Sequence, residues 1–242
     1  MTAIGIIGSK GRMGQALVAA ISEAGQAHAG GADQGDDVTA LVGASDVLVD
    51  FSSPKALQAT LDACVAANKP IVIGTTGLED AHHAAIDAAA NKIPVLQTGN
   101  TSLGVNMLAA LVQQAASRLG DDWDIEIVEM HHRHKVDAPS GTAKLLGEAA
   151  ARGRGINLAT HSESGRDGIT GARERGAIGF AALRGGSVAG DHTVILASDE
   201  ERIELTHRAE NRMIFARGAV KAAGWLAGQS PGRYGMDGVL GF

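Results

Sequence analysis

The chain has a single cysteine, Cys64, so it cannot hold an internal disulfide. Its neighbours Leu61, Val65 and Ala66 place that thiol at an ordinary buried helix position rather than a catalytic one. Aromatic residues make up only 3% of the sequence, whereas Ala and Gly are abundant. An interior so short of rings must be filled by small aliphatic side chains on closely approaching helices and strands, which suits an α/β fold. Positive charge is not in surplus either. A formal net charge of -6 excludes a general nucleic-acid binder, which needs a basic surface to displace counterions from phosphates. No apolar run is long enough to span a bilayer, and the opening MTAIGIIGSKG has neither a basic stretch nor a long apolar one, so a cytoplasmic location without a membrane partner is expected. With 45% hydrophobic and 20% charged residues over 242 positions, the chain has the composition of a globular protein and the length for two modest domains.

The first hundred residues alternate short apolar runs with Ala-rich helical stretches, the rhythm of βαβ units on a parallel sheet. Strands are expected at Ala3 to Gly8, weakly at Ala27 to Ala32, and at Asp46 to Phe51, Ile71 to Gly74 and Val95 to Thr98. Helices are expected at Gly11 to Ala24, Pro54 to Asn68 and Leu78 to Asn91. After Ser102 the rhythm changes to a helix at Val105 to Leu119, a strand at Asp124 to Met130, a histidine-rich segment and another helix. Three strand-like runs follow at Ala177 to Leu183, His192 to Ser198 and Arg202 to His207, joined by short turns that indicate antiparallel pairing. Ser162 to Gly176 is rich in Gly and Arg without apolar periodicity and reads as a mobile loop. A last helix, Ile214 to Ala227, could return to the first domain. The expected fold class is α/β: a Rossmann-like parallel-sheet domain at 1–102, completed by 213–242, plus an α+β domain at 103–212 with a mixed, largely antiparallel sheet.

Gly8-Ser9-Lys10-Gly11-Arg12-Met13-Gly14 follows a strand and opens a helix, so backbone N–H groups at the helix N-terminus can face a pyrophosphate. Any tight β-to-α turn wants glycine, so the position of Asp33 raises the value of the pattern. It ends the second strand about 20 residues on, where an acid accepts hydrogen bonds from ribose hydroxyls. Gly74-Thr75-Thr76-Gly77 and Thr98-Gly99-Asn100-Thr101-Ser102 lie at the ends of later strands, where open α/β sheets bind ligands.

Between Glu129 and Ala143, His131, His132, Arg133, His134, Lys135 and Asp137 precede Pro139 and a helix start at Ser140-Gly141-Thr142. A helix N-terminus with hydroxyls is a carboxylate site. Imidazoles and a lysine in front of it suit an acidic substrate that must also receive a proton. Zinc is the competing idea, but histidines leaving a strand in alternating directions lack the i, i+4 pairing that puts two ligands on one face, and no metal is expected.

In these segments the chain resembles the 4-hydroxy-tetrahydrodipicolinate (dihydrodipicolinate) reductase family of the diaminopimelate route to lysine. The resemblance runs nearly end to end, through GSKGRMG at 8–14, GTTG at 74–77, NTSLGVN at 100–106, EMHHRHKVDAPSGTA at 129–143, RGG at 184–186, GDH at 190–192 and NRMIFARGAV at 211–220. It implies reduction of a cyclic imine dicarboxylate by hydride from NADH or NADPH. His131 would then be the proton donor and acceptor and Lys135 a second donor near the ring nitrogen. His132, Gly141 and Thr142 would hold the substrate carboxylates, with Ser140, Thr76 and Arg212 nearby. Gly8, Ser9, Lys10, Gly11, Arg12, Met13, Asp33, Gln34, Phe51, Gly74, Thr75, Thr76, Thr98, Gly99, Asn100 and Thr101 would hold the cofactor. It further implies a homotetramer joined through the second domain's sheet, with domain closure over the substrate. Two positions depart from the pattern. Gln34 stands where many members carry an arginine that pairs with the 2′-phosphate, so NADH is the expected preference, and Thr101 stands where members often carry an aromatic residue. Two other readings are another two-domain nicotinamide oxidoreductase acting on an amino acid or sugar, and a regulator that senses NAD(H) without turnover. Neither has an evident use for HHRHK before an anion cradle.

Overall fold

A computed structural model describes all 242 residues. They form two compact units, residues 1–103 with 213–242, and residues 104–212. The first unit opens with β1 (Ala3–Ile7), α1 (Arg12–Glu23), β2 (Ala27–Ala32), α2 (Val38–Ala44), β3 (Val47–Asp50), α3 (Pro54–Ala66), β4 (Ile71–Ile73), α4 (Asp80–Ala90) and β5 (Pro94–Gln97). After α5 (Leu103–Arg118), the second unit continues with β6 (Asp124–His131), α6 (Gly141–Arg154), α7 (Leu158–His161), β7 (Ser162–Ser164), β8 (Ile178–Arg184), β9 (Asp191–Ala197) and β10 (Arg202–Arg208). The first unit is then completed by α8 (Met213–Leu226), β11 (Gly232–Tyr234) and α9 (Met236–Leu240).

The first sheet runs β11-β5-β4-β3-β1-β2 and is parallel throughout. The order reverses between β1 and β3, the switch point outside whose strand ends such sheets bind ligands. Helices cover both faces. α1 and α8 pack on one, where Leu17, Ile21, Ala219 and Leu226 meet Ile4, Ile6, Val47 and Val49; Leu41, Leu57, Leu61 and Ile86 of α2, α3 and α4 fill the other. Each fully buried Leu or Ile contributes about 1.5–3 kcal/mol relative to exposure. The shortage of aromatics is met by small residues in α8. A Cβ on Gly218 would run into the carbonyl oxygen of Thr101, so this helix seats directly on the turn after β5.

The second sheet runs β10-β9-β6-β8-β7 and is covered on one face by α5 and α6. β9 pairs antiparallel with β10 and β6, while β6 and β7 pair parallel with β8, so the sheet is mixed, with two long antiparallel ladders against one long and one short parallel ladder. The polar turn at 199–201 joins an antiparallel pair as expected. β8 and β9 are not neighbours, because residues 185–190 cross the end of β6, where Gly185 N–H donates to His131 O and His132 N–H to Val188 O. The segment 162–176 also departs from a structureless loop. Ser162–Ser164 adds an edge strand, and Arg173 donates to Glu126, Asp124 and the carbonyls of Ile125 and Ala177. Here guanidinium hydrogen bonds replace apolar packing, so no hydrophobic period announces the structure. α2 and β11 were not anticipated either, being only seven and three residues long.

Candidate active site

The turns singled out in the first unit all stand at the C-terminal edge of its sheet. Gly8 has φ +85°, and Gly14 sits where a Cβ would strike the carbonyls of Gly8 and Ser9, so a side chain at either place would fill the turn. Gly11 is the N-cap of α1, which begins at Arg12; Lys10 and Arg12 are exposed, while Met13 packs against the core. Asp33 follows β2 and accepts from Ser9 Oγ at 2.6 Å and Lys10 N–H at 3.1 Å. The Ser9 hydrogen bond, assisted by Lys10, holds the Asp33 carboxyl below the usual carboxylate range. A cavity of about 1130 Å³ opens between Gly8, Gly11, Asp33, Gln34 and Phe51. Asp36 and Asp37 line it as well, with Lys55 as a cation. A glycine cradle next to an acid and a cavity of this size fit a dinucleotide.

Gly74, Thr75 and Thr76 follow β4. Gly74 is required because the Phe51 ring lies where its Cβ would be. Thr75 Oγ1 donates at 3.1 Å to Asp50, a fully buried carboxyl whose pKa burial pushes up. Thr76 is exposed, and it is separate from the other expected substrate residues, all of which belong to the second unit. Thr98, Asn100 and Thr101 are buried and Gly99 is exposed. Thr101 Oγ1 donates to Phe215 O at 2.7 Å, so the residue that departs from the family pattern is engaged with α8.

In the second unit, strand alternation puts Ile125, Ile127, Glu129 and His131 on the buried face of β6. The last two replace apolar packing with a hydrogen-bonded network. His131 Nδ1 lies 2.6 Å from Glu129 Oε2. Arg184, paired with His131 across the sheet, forks onto both Glu129 oxygens at 2.8 and 2.9 Å, and Ser140 N–H donates to Oε1 at 3.1 Å. Burial pushes the Glu129 carboxyl up, but the Arg184 and His131 hydrogen bonds outweigh it, and its pKa lies below the ordinary value. Nδ1 of His131 therefore carries a proton, which leaves Nε2 for other work. A Cβ on Gly190 would stand 3.0 Å from that Nε2, so glycine keeps the approach open.

Ser140 also caps α6, accepting from Ala143 N–H at 3.1 Å. Its Oγ lies 3.0 Å from Nε2 of His192, whose ring stands edge-on to His131 at 5.1 Å. Burial, with His131 beside it, pushes His192 down to about 4, so it is neutral at working pH. Gly141, at the first position of α6, has nothing within 4 Å of where its Cβ would be, and Thr142 follows it. This is an open helix N-terminus suited to a carboxylate. His132 Nε2 lies 3.1 Å from Arg212, and burial followed by Arg212 lowers the His132 pKa, so Nε2 accepts from the guanidinium. Lys135 Nζ lies 2.8 Å from Asp137 Oδ1. A cavity of about 640 Å³ opens beside His132, Arg133 and His134. His131, His132, Lys135, Ser140, Gly141, Thr142 and Arg212 thus fall in one unit, and no group of His, Cys, Asp and Glu there could hold a metal ion. Glu129, Arg184 and His192 lie in the matching segments at 129–143, 184–186 and 190–192, but the sequence assigned none of them a role. The signal for Glu129 was a carboxylate at the inward phase of an alternating strand.

Two family models match the chain, one described as "Dihydrodipicolinate reductase, N-terminus" over residues 2–101 and one as "Dihydrodipicolinate reductase, C-terminus" over residues 104–240. The 4-hydroxy-tetrahydrodipicolinate reductase of Zymomonas mobilis subsp. mobilis is 60% identical over 245 residues, covering 98% of this chain and 96% of its own. That of Rhodopseudomonas palustris is 52% identical over 260 residues, covering 98% and 95%. A dipicolinate-bound dihydrodipicolinate reductase from Paenisporosarcina sp. TG-14 shares the fold, with a TM-score of 0.78 at 23% identity over 98% of this chain and 99% of that one.

Proposed function

The chain belongs to the dihydrodipicolinate reductase family, and on that premise we propose that it reduces the cyclic imine dicarboxylate derived from 4-hydroxy-tetrahydrodipicolinate to tetrahydrodipicolinate. The reductant is NAD(P)H, and the reaction belongs to the diaminopimelate route to lysine. The observation that carries this reading is the network joining His131, through Glu129, to the backbone of Ser140, which caps α6, a helix whose N-terminus suits a carboxylate. A proton donor and a carboxylate site are thereby fixed to one another.

Gly8 to Met13, Asp33, Gln34, Phe51, Gly74 to Thr76 and Thr98 to Thr101 would hold the cofactor. When bound, the nicotinamide supplies the hydride. Gly141, Thr142, His132 and Arg212 would hold the two carboxylates, with Ser140 supporting. His131 delivers a proton from Nε2, and Lys135 donates toward the ring nitrogen, where electron density collects as the imine is reduced.

Asp33, its pKa lowered and followed by Gln34 rather than arginine, would face the adenosine ribose, and Asp36 and Asp37 add negative charge to the same cavity. A 2′-phosphate meets repulsion there. The expected result is a catalytic efficiency with NADH about 10-fold above that with NADPH, equivalent to about 1.4 kcal/mol, narrowed by Gln34→Arg. The measurement is oxidation of both cofactors in parallel, coupled to the condensation product of pyruvate and aspartate semialdehyde. Equal or better efficiency with NADPH would refute the preference; no substrate-dependent oxidation with either would refute the function.

No helix is long and apolar enough to cross a membrane. We propose further that the protein works in the cytoplasm as a homotetramer joined through the second unit's sheet. Support comes from Val128, Met130, Leu183 and Ile195, which share the face turned away from α5 and α6 and lie outside the core, Leu183 being 51% exposed. Light scattering should give four chain masses at micromolar concentration. A single chain mass sinks the assembly.

A further inference from the structure

Glu129 is 1% exposed, and its two oxygens have four hydrogen-bonded neighbours: Nδ1 of His131, both terminal nitrogens of Arg184 and the N–H of Ser140. A buried carboxylate needs such partners to stay charged, since desolvation otherwise protonates it. The Arg184 fork satisfies that need from a neighbouring strand, and the charge so retained is set against the imidazole of His131. The remaining contact reaches the backbone of the α6 N-cap.

We infer that Glu129 is a positioning residue for the reaction, which keeps the Nδ1–H tautomer of His131 and fixes it relative to the α6 N-terminus, with Arg184 holding Glu129 in place. This rests on the reading of His131 as the proton donor. With Nδ1–H turned to Glu129, the neutral ring presents Nε2 as its basic atom, and the ring must load a proton there before it can give one. A neutral amide in place of the carboxylate does not favour the loaded ring.

The charges around His131 decide the direction of the pH effect. Glu129 on the same strand sets a negative charge 2.6 Å from Nδ1. Arg184 from β8 opposes it but is already paired with Glu129, and the following loop brings His132 and Lys135, the latter paired with Asp137. His192 from β9 is neutral and adds no charge. Replacing the carboxylate by an amide takes away the negative charge beside Nδ1 and leaves Arg184 without its partner, so the alkaline limb of the rate profile, where the donor is lost, moves to lower pH.

The test compares Glu129→Gln, Glu129→Asp and His131→Gln in the full-length protein, with kcat measured from pH 5 to 10 and NADH affinity measured separately. Glu129→Gln should lower kcat about 100-fold, move the alkaline limb by a pH unit or more toward acid, and leave NADH affinity unchanged. Glu129→Asp should recover part of both effects. A His131→Gln variant that loses turnover, beside a Glu129→Gln variant with wild-type kcat and pH limb, would overturn the inference alone. Unchanged turnover in His131→Gln would overturn the reading of His131 and this inference with it. Should Glu129→Gln fail to fold, ¹⁵N chemical shifts of the wild-type histidine rings decide. His131 as Nδ1–H at neutral pH is the expected result, and Nε2–H overturns it.

Discussion

His131→Gln should lower kcat by about 10³-fold, within the 10²–10⁴-fold range for general acid–base catalysis, while the Kd for NADH measured without the second substrate stays within about twofold of wild type. Glutamine preserves a hydrogen-bonding side chain of similar length at the end of β6, so Glu129 keeps a neutral partner beside its Arg184 pair and the sheet keeps its packing. It cannot load and release a proton near neutral pH. The loss should therefore fall on kcat more than on the substrate KM, the signature of an interaction made in the transition state. The proposed NADH contacts all lie in residues 1–103, whereas His131 belongs to the other unit, which is why cofactor affinity should not follow. Stopped-flow turnover with tetrahydrodipicolinate as the measured product, alongside fluorescence titration of NADH, separates the two quantities. Turnover within threefold of wild type would remove His131 from proton transfer.

The parallel sheet was legible because each of its long strands is a short apolar run between turn residues, and β3, buried at all four positions, shows how continuous such a run must be at the centre. β2 read weakly for a physical reason that only the structure supplies. Its AHAGGA sequence includes Gly31 because the Ser9 side chain lies where a Cβ would be, so the glycine loop shaped the strand beside it. Neighbours in sequence pair in space only as a tendency, and β8 and β9 are an exception made by β6 entering between them.

The site was legible where function is local. His131, Lys135 and the Ser140 cap fall within ten residues, and their types alone describe a proton source before a carboxylate site. Glu129 was half legible. Its inward phase in β6 marks it as anomalous among isoleucines, but nothing local says which cation answers it. Arg184 lies 55 positions away, and the strand register His131↔Arg184 makes the pairing. His192 was hidden in the same way, since Ser140, 52 positions earlier, meets it only once β9 has docked on β6.

Lys135→Ala is expected to lower kcat/KM by about 10²–10³-fold, a loss of about 3–4 kcal/mol in transition-state stabilisation, again with little change in NADH affinity. The Lys135 ammonium is paired with Asp137 at 2.8 Å, and its side chain is only 20% exposed, so it is held in place rather than free in solvent. That pairing also keeps the Asp137 carboxyl below its usual range, the lysine hydrogen bond being the largest cause. The proposed role combines two contributions in one residue, a fixed positive charge for a dicarboxylate and a proton for the ring nitrogen, and Lys135→Arg separates them. A guanidinium retains the charge but does not give up a proton in the accessible pH range. The arginine variant should recover much of the substrate KM and little of kcat. Full recovery of kcat by arginine would reduce Lys135 to an electrostatic anchor and leave His131 as the sole proton source. If the two donors act on one transition state, combining His131→Gln with Lys135→Ala should cost less than the sum of the separate losses, because the second donor has little left to stabilise once the first is gone.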